Sequence, residues 1–269
     1  MKRFILSYLL FIATLQAKSQ LIDTSVNLGS YNLHFRIING KGTPILFESG
    51  GGLDASQWDD VISDIYKRTG ATLITYDRQG FGKSGIDTSS YNISNEIDGL
   101  ESSLIKLGYG NKSIFLVCHS LGNFYSRVYC ARHSNLVKGI VMLDPRIPSN
   151  EDVKYAVKTF ERVKKSYNVD TLKGSDRTLY FVFRAMPSNE STVKGSLIPL
   201  SIPILDIMAE IGPYDNEIDN ARFKSDQRVF VKRRSNCKLV YAAGGAHDLP
   251  KSKPRLVIQQ IVCFYKLNQ

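Results

Sequence analysis

The stretch Ile114-Phe115-Leu116-Val117-Cys118-His119-Ser120-Leu121-Gly122-Asn123 is apolar as far as Cys118, breaks at a small polar hydroxyl, and restarts in residues that continue as helix. An apolar strand that ends on a serine among small side chains and turns at once into a helix outlines a nucleophile elbow. Strained backbone there lifts the hydroxyl clear of its neighbours. The pattern expects glycine two residues before and two after the serine. Gly122 supplies the second, and Cys118, a small alternative, stands where the first would be. The reading places Ser120 at the carboxyl end of a buried strand; the alternative is a turn with an incidental serine.

Working outward from this segment, short apolar runs recur at Pro44 to Phe47, Ala71 to Tyr76, Val137 to Leu143, Ile202 to Met208 and Lys238 to Ala242, and read as buried parallel strands. Helical stretches at Trp58 to Lys67, Asn95 to Leu107, Leu121 to His133 and Pro254 to Tyr265 lie between or after them. Strands alternating with helices predict a doubly wound, mostly parallel α/β sheet, with reactive groups gathered at the carboxyl ends of its strands. Ahead of these, Val26 to Leu28 and Leu33 to Ile38 flank Gly29-Ser30-Tyr31-Asn32 and predict an antiparallel hairpin at a sheet edge. Residues 146–200 interrupt the alternation with charged, partly amphipathic sequence. They are expected to form a helical cap insertion over the active-site end, although Thr178 to Phe183 also fits a core strand.

At 269 residues, with 43% hydrophobic and 22% charged residues, the chain suffices for one sizeable core and lacks the composition of a disordered protein. Lys2 and Arg3 precede the apolar run Phe4 to Ala13, and small residues follow. Residues 1–19 therefore read as a signal peptide, with residues 20–269 as the mature domain and a secreted or periplasmic location expected. An uncleaved anchor is the alternative; otherwise no stable membrane insertion is expected after cleavage. The net charge of +10 falls to about +8 without Lys2 and Arg3 and favours loose attraction to anionic surfaces. The basic groups at Lys158 to Lys165 and Lys232 to Arg234 come with no aromatic-interleaved binding stripe and no recognition motif, so nucleic acid is not an expected partner. The four cysteines form no CxxC pair and no metal-ligand cluster. Cys118 and Cys130 read as buried small residues, and a Cys237–Cys263 disulfide remains open.

Taken together, Glu48-Ser49-Gly50-Gly51-Gly52, Tyr76-Asp77-Arg78-Gln79-Gly80-Phe81-Gly82-Lys83-Ser84, Cys118 to Gly122, and Gly244-Gly245-Ala246-His247-Asp248 resemble, in this order, the motifs of the α/β-hydrolase fold superfamily, in particular its serine esterase and peptidase-like group. The resemblance spans roughly Asn32 to Phe264. It implies that Ser120 is a nucleophile and His247, after the last strand, its general base. Backbone N–H groups of Leu121 and Gly51 would form the oxyanion hole, with Ser49-Gly50 standing where the family has His-Gly. For the acid, Asp144 closes the strand after the nucleophile strand; Asp215 and Glu210, after the next one, are the alternatives.

Asp77 and Arg78 read as structural, Asp77 bonding backbone amides and Arg78 bracing the Gly80-Phe81-Gly82 turn. Trp58 and Tyr125 read as core residues, with lining of an acyl pocket as the alternative. The implied activity is cleavage of a small-molecule carboxylic ester, thioester or small amide through an acyl-enzyme, with no metal and no organic cofactor. A hydrolase-like binding protein without chemistry and a cofactor-free perhydrolase remain as alternatives. Epoxide and haloalkane hydrolysis need a carboxylate where Ser120 stands.

Overall fold

The computed structural model describes residues 21–269; residues 1–19, expected to be a signal peptide, lie outside the described residues. In chain order the elements are β1 (Leu21–Asn27), β2 (Asn32–Ile38), β3 (Gly42–Glu48), a 3-10 turn (Ala55–Trp58), α1 (Asp59–Thr69), β4 (Ala71–Asp77), α2 (Ile93–Lys106), β5 (Ile114–His119), α3 (Gly122–Arg132) and β6 (Val137–Leu143). Then come α4 (Asn150–Ser166), α5 (Gly174–Gly195), β7 (Ile204–Ala209), α6 (Glu217–Lys232), β8 (Cys237–Ala242), α7 (Leu249–Ser252) and α8 (Pro254–Leu267).

The strands form one eight-stranded sheet in the order β1-β2-β4-β3-β5-β6-β7-β8. β1 and β2 make the expected antiparallel hairpin, Asn27 opposite Asn32, and β2 pairs antiparallel with β4. From β4 onward all pairings are parallel, and β5 lies between β3 and β6. Every residue of β5 is buried, which is why it reads as a continuous apolar run rather than an alternating one.

Each sheet face has its own core. Trp58, Val61 and Ile65 join Val257, Ile261 and Tyr265 of α8 over Phe47, Phe115 and Val141 on one face. On the other, Leu100 and Leu104 of α2 and Phe124 and Val128 of α3 cover Leu46, Leu116 and Met142. Neither layer could shed water alone, so the two-sided burial fixes the sheet as the middle of the molecule.

The structure decides several readings that the sequence leaves open and corrects one, the burial of β8. Thr178 to Phe183 belongs to α5 and not to a strand; it packs within a pair of helices, α4 and α5, inserted between β6 and β7. β8 borders the sheet, and Lys238, Leu239 and Tyr241 are exposed, so it is not the buried strand its composition predicts. Cys237 and Cys263 are both free. Trp58 is fully enclosed, its Nε1–H donating to Ser49 Oγ at 3.0 Å, and Tyr125 donates to Glu96 at 2.7 Å; both are core residues and not pocket lining. No helix among the described residues is long and apolar enough to cross a membrane.

Candidate active site

β5 ends at His119 and α3 begins at Gly122, leaving Ser120 at the apex of the turn with φ +51°. That left-handed backbone is costly for a residue with a Cβ and persists only where the surroundings impose it. They do so through three main-chain bonds. Ser120 N–H donates to Leu143 O at 3.1 Å, while its carbonyl accepts from Asn123 N at 3.1 Å and Arg146 N at 3.0 Å. Gly122 is required by close approach: a Cβ there would lie 2.5 Å from Glu48 O and 2.7 Å from Ser49 O. The Cys118 side chain, in place of the other elbow glycine, is accommodated in the buried layer beneath α3, where burial pushes its thiol far above the usual range.

Ser120, His247 and Asp144 come together from three separate strand ends. Ser120 Oγ lies 2.9 Å from His247 Nε2, and His247 Nδ1 lies 2.6 Å from Asp144 Oδ2. Asp144 is fully buried and, like Ser120, holds a positive φ, +40°. Burial alone would raise its pKa. The hydrogen bond from His247 and the charge of Lys224 outweigh that, and the carboxyl lies below its usual range. The other two carboxylates considered for this place stand elsewhere. Glu210 accepts from Gly244 N at 2.6 Å, and Asp215 lines a surface cavity of about 580 Å³ beside α4.

Gly51 is exposed in the turn after β3, against the Leu121 side chain. Among the described residues neither the Gly51 nor the Leu121 backbone N–H donates to a protein acceptor. Both therefore stay free for an acceptor from outside the protein. Arg78 holds this loop: its guanidinium donates to the carbonyls of Ser49 and Gly50, and it also lies over the Phe81 ring of the turn at residues 80–82, 5.9 Å from the centroid. That turn is held by Asp77, which accepts from Ala55 N and Lys83 N, both at 2.8 Å.

Sequence reasoning passes over four residues that complete the site. His119, buried inside the elbow, accepts from Gln57 Nε2 at 2.7 Å through Nδ1, so its Nε2 carries the proton and donates to the His247 carbonyl at 2.9 Å. Burial, reinforced by His247, lowers its pKa to about 3, and it is neutral. Gln57 also accepts from Gly50 N at 2.9 Å and donates to Asp248 at 3.2 Å, tying the loop after β3 to the loop that carries His247. Lys224 and Gln227, from α6, bond the far oxygen of Asp144. Spacing within the sequence gives no sign of these partners, which lie tens of residues away.

The inserted helices are anchored at the same strand end. Arg146 donates to Asp152 and Glu190, both at 2.8 Å, and all three side chains are buried. Between α4 and α5 lies a cavity of about 210 Å³ walled by Val163, Tyr167, Leu172, Leu179, Tyr180 and Phe183. Leu179 reaches Gly52, in the loop after β3. No cluster of three or more His, Cys, Asp or Glu side chains with metal-ligand placement occurs among the described residues.

A strand-end serine, a histidine after the last strand and an acid on the neighbouring strand define a class of fold and site, and a family model described as the alpha/beta hydrolase fold matches residues 43–180. The chain belongs to that family. An uncharacterized protein of Bacillus subtilis (strain 168), YqjL, is 31% identical over 131 residues, 48% of this chain and 51% of that one. A probable lysophospholipase of Arabidopsis thaliana, BODYGUARD 4, is 30% identical over 89 residues, 33% of this chain and 21% of that one. The chain thus spans about half, or less, of the length of these relatives. Among solved structures, a thermophilic esterase from Thermogutta terrifontis superposes with a TM-score of 0.64 at 18% identity, over 93% of this chain and 100% of that one. At that identity the likeness is one of fold.

Proposed function

We propose that the protein is an exported serine hydrolase that cleaves a carboxylic ester, thioester or small amide through an acyl-enzyme on Ser120. The observation that carries the proposal is the unbroken chain Ser120–His247–Asp144 beside two unengaged N–H groups. His247 Nε2 takes the serine proton as Oγ attacks the acyl carbon, and the Asp144 carboxylate supports the imidazolium that forms. Gly51 and Leu121 N–H groups receive the oxyanion, a contribution of about 3 kcal/mol per donor in related acyl transfer. His247 then returns the proton to the leaving group, and water repeats the cycle to release the acid. The apolar cavity beside Leu179 suits an apolar acyl or leaving group. The esterase and the probable lysophospholipase among the similar proteins are in keeping with an acyl substrate.

The test is labelling of the purified chain with a fluorophosphonate probe, alongside turnover of p-nitrophenyl acyl esters of varied length. Wild type should label and turn over, whereas Ser120→Ala should fold and do neither. Turnover retained by Ser120→Ala overturns the assignment. A wild type that neither labels nor turns over supports a binding protein on this fold.

A further inference from the structure

Asp144 divides its two oxygens unequally. Oδ2 accepts only from His247, whereas Oδ1 accepts from Lys224 Nζ at 2.5 Å, Gln227 Nε2 at 3.0 Å and Ala209 N at 3.0 Å. Lys224 and Gln227 are three residues apart and share one face of α6. The only other buried residue of that helix is Phe223, whose ring stands edge-on to His247 with centroids 5.6 Å apart. Every side chain that α6 buries therefore touches the acid–histidine pair. A buried lysine is costly unless a counter-ion repays its lost hydration, and Lys224 is only 7% exposed.

Groups from four elements surround Asp144. His247 approaches from the β8–α7 loop, Lys224 and Gln227 from α6, His119 from β5 and Asp206 from β7. His119 is neutral. Asp206 is fully buried with no hydrogen-bond partner on either oxygen among the described residues, and burial first, then Asp144, pushes its carboxyl well up. Arg228, one turn along α6, has the same charge as Lys224. Asp144 is the one ionised carboxylate bonded to the ammonium.

We propose that Lys224, supported by Gln227, is a positioning residue that acts through Asp144, directing Oδ2 at His247 and balancing the carboxylate's charge beside the imidazole. The proposal rests on the serine-hydrolase reading. Serine activation needs an imidazole free to take a proton, and an uncompensated buried carboxylate beside it favours the imidazolium at rest. Removing the cation also makes Asp144 easier to protonate. Both effects move the onset of activity to higher pH.

The experiment measures the rate of fluorophosphonate labelling of Ser120 as a function of pH in the full chain. Lys224→Met should lower the rate at neutral pH by about tenfold and move the acidic limb upward by about one pH unit. Lys224→Arg, which restores the charge, should recover most of both. Gln227→Leu should slow labelling without moving the limb. An unmoved limb in Lys224→Met, or an equal shift in Gln227→Leu, overturns the proposal. If Lys224→Met does not fold, Lys224→Gln keeps a donor, drops the charge and carries the same comparison. Failure of the underlying reading shows separately, as a wild type that does not label. The NMR titration midpoint of the His247 imidazole then decides: an upward shift in the uncharged variant supports the role of Lys224, and an unchanged midpoint refutes it.

Discussion

Replacing Gln57 with leucine removes the one side chain that joins three parts of the site. Its carbonyl holds Gly50 N at 2.9 Å, and its amide holds His119 Nδ1 at 2.7 Å and Asp248 at 3.2 Å. Leucine fills nearly the same volume, so the cavity contribution is small and the loss is one of hydrogen bonding. At about 1 kcal/mol net for each bond, the variant should lose about 2–3 kcal/mol of stability. Urea unfolding followed through Trp58, the sole and fully buried tryptophan, measures this directly. The effect on chemistry comes through His119. Without the amide donor nothing fixes its proton on Nε2, and the 2.9 Å bond to the His247 carbonyl loses its donor in the alternative tautomer. A histidine backbone displaced by about 1 Å can cost about a hundredfold in rate, so fluorophosphonate labelling should slow by about ten- to a hundredfold. Labelling within about twofold of wild type, with less than about 0.5 kcal/mol lost, would refute the bridging role.

Two further outcomes follow from the same geometry. Gly122→Ala drives a methyl group into the carbonyl oxygens of Glu48 and Ser49, at the end of β3, and should destabilise by about 1–3 kcal/mol, seen as a lower thermal midpoint; an unchanged midpoint contradicts the close approach. Burial first raises Glu48 to about 8 and Glu96 to about 7, so both bind their protons more tightly folded than unfolded. Their contribution to stability is therefore lost as pH rises from about 5 to about 8, while Asp144, held below 3.8, loses its contribution only in acid. Thermal unfolding should show the fall toward alkaline pH, and Glu48→Gln should flatten it; an equal slope in the variant would exclude Glu48 as the cause.

The parts of this molecule that sequence makes legible are those whose signal is local. A buried parallel strand must be apolar throughout, and the tight turn at its end needs a residue without a side chain two positions after the serine, so β5, Ser120 and Gly122 declare themselves together. Asp144 and His247, singled out from their places after strands and from the family resemblance, are brought beside Ser120. α6 is not legible, because its inward face is Phe223, Lys224 and Gln227, and a helix that buries mostly polar groups shows little apolar periodicity. Gln57 and His119 escape for a related reason: their meaning lies in partners up to 191 residues distant. The run Thr178 to Phe183 is too short to distinguish strand from helix, and only its packing beside α4 decides. β8 has the composition of an interior strand, but its position at the sheet's border is a fact of topology.

Ser120, Leu121, Asp144, His247 and Gly51 all lie outside the helical insertion that follows β6, and main-chain bonds from Leu143 and Arg146 lock the serine to its neighbouring strand without help from α4 or α5. The Ser120–His247–Asp144 constellation and the helical insertion thus sit on separable modules, a chassis and an attachment. The coupling between them is Arg146, whose amide belongs to the chassis and whose guanidinium belongs to the attachment. A chimaera that imports a foreign insertion must bring two acidic groups to that guanidinium, or replace the arginine with an apolar residue, before the graft can seat.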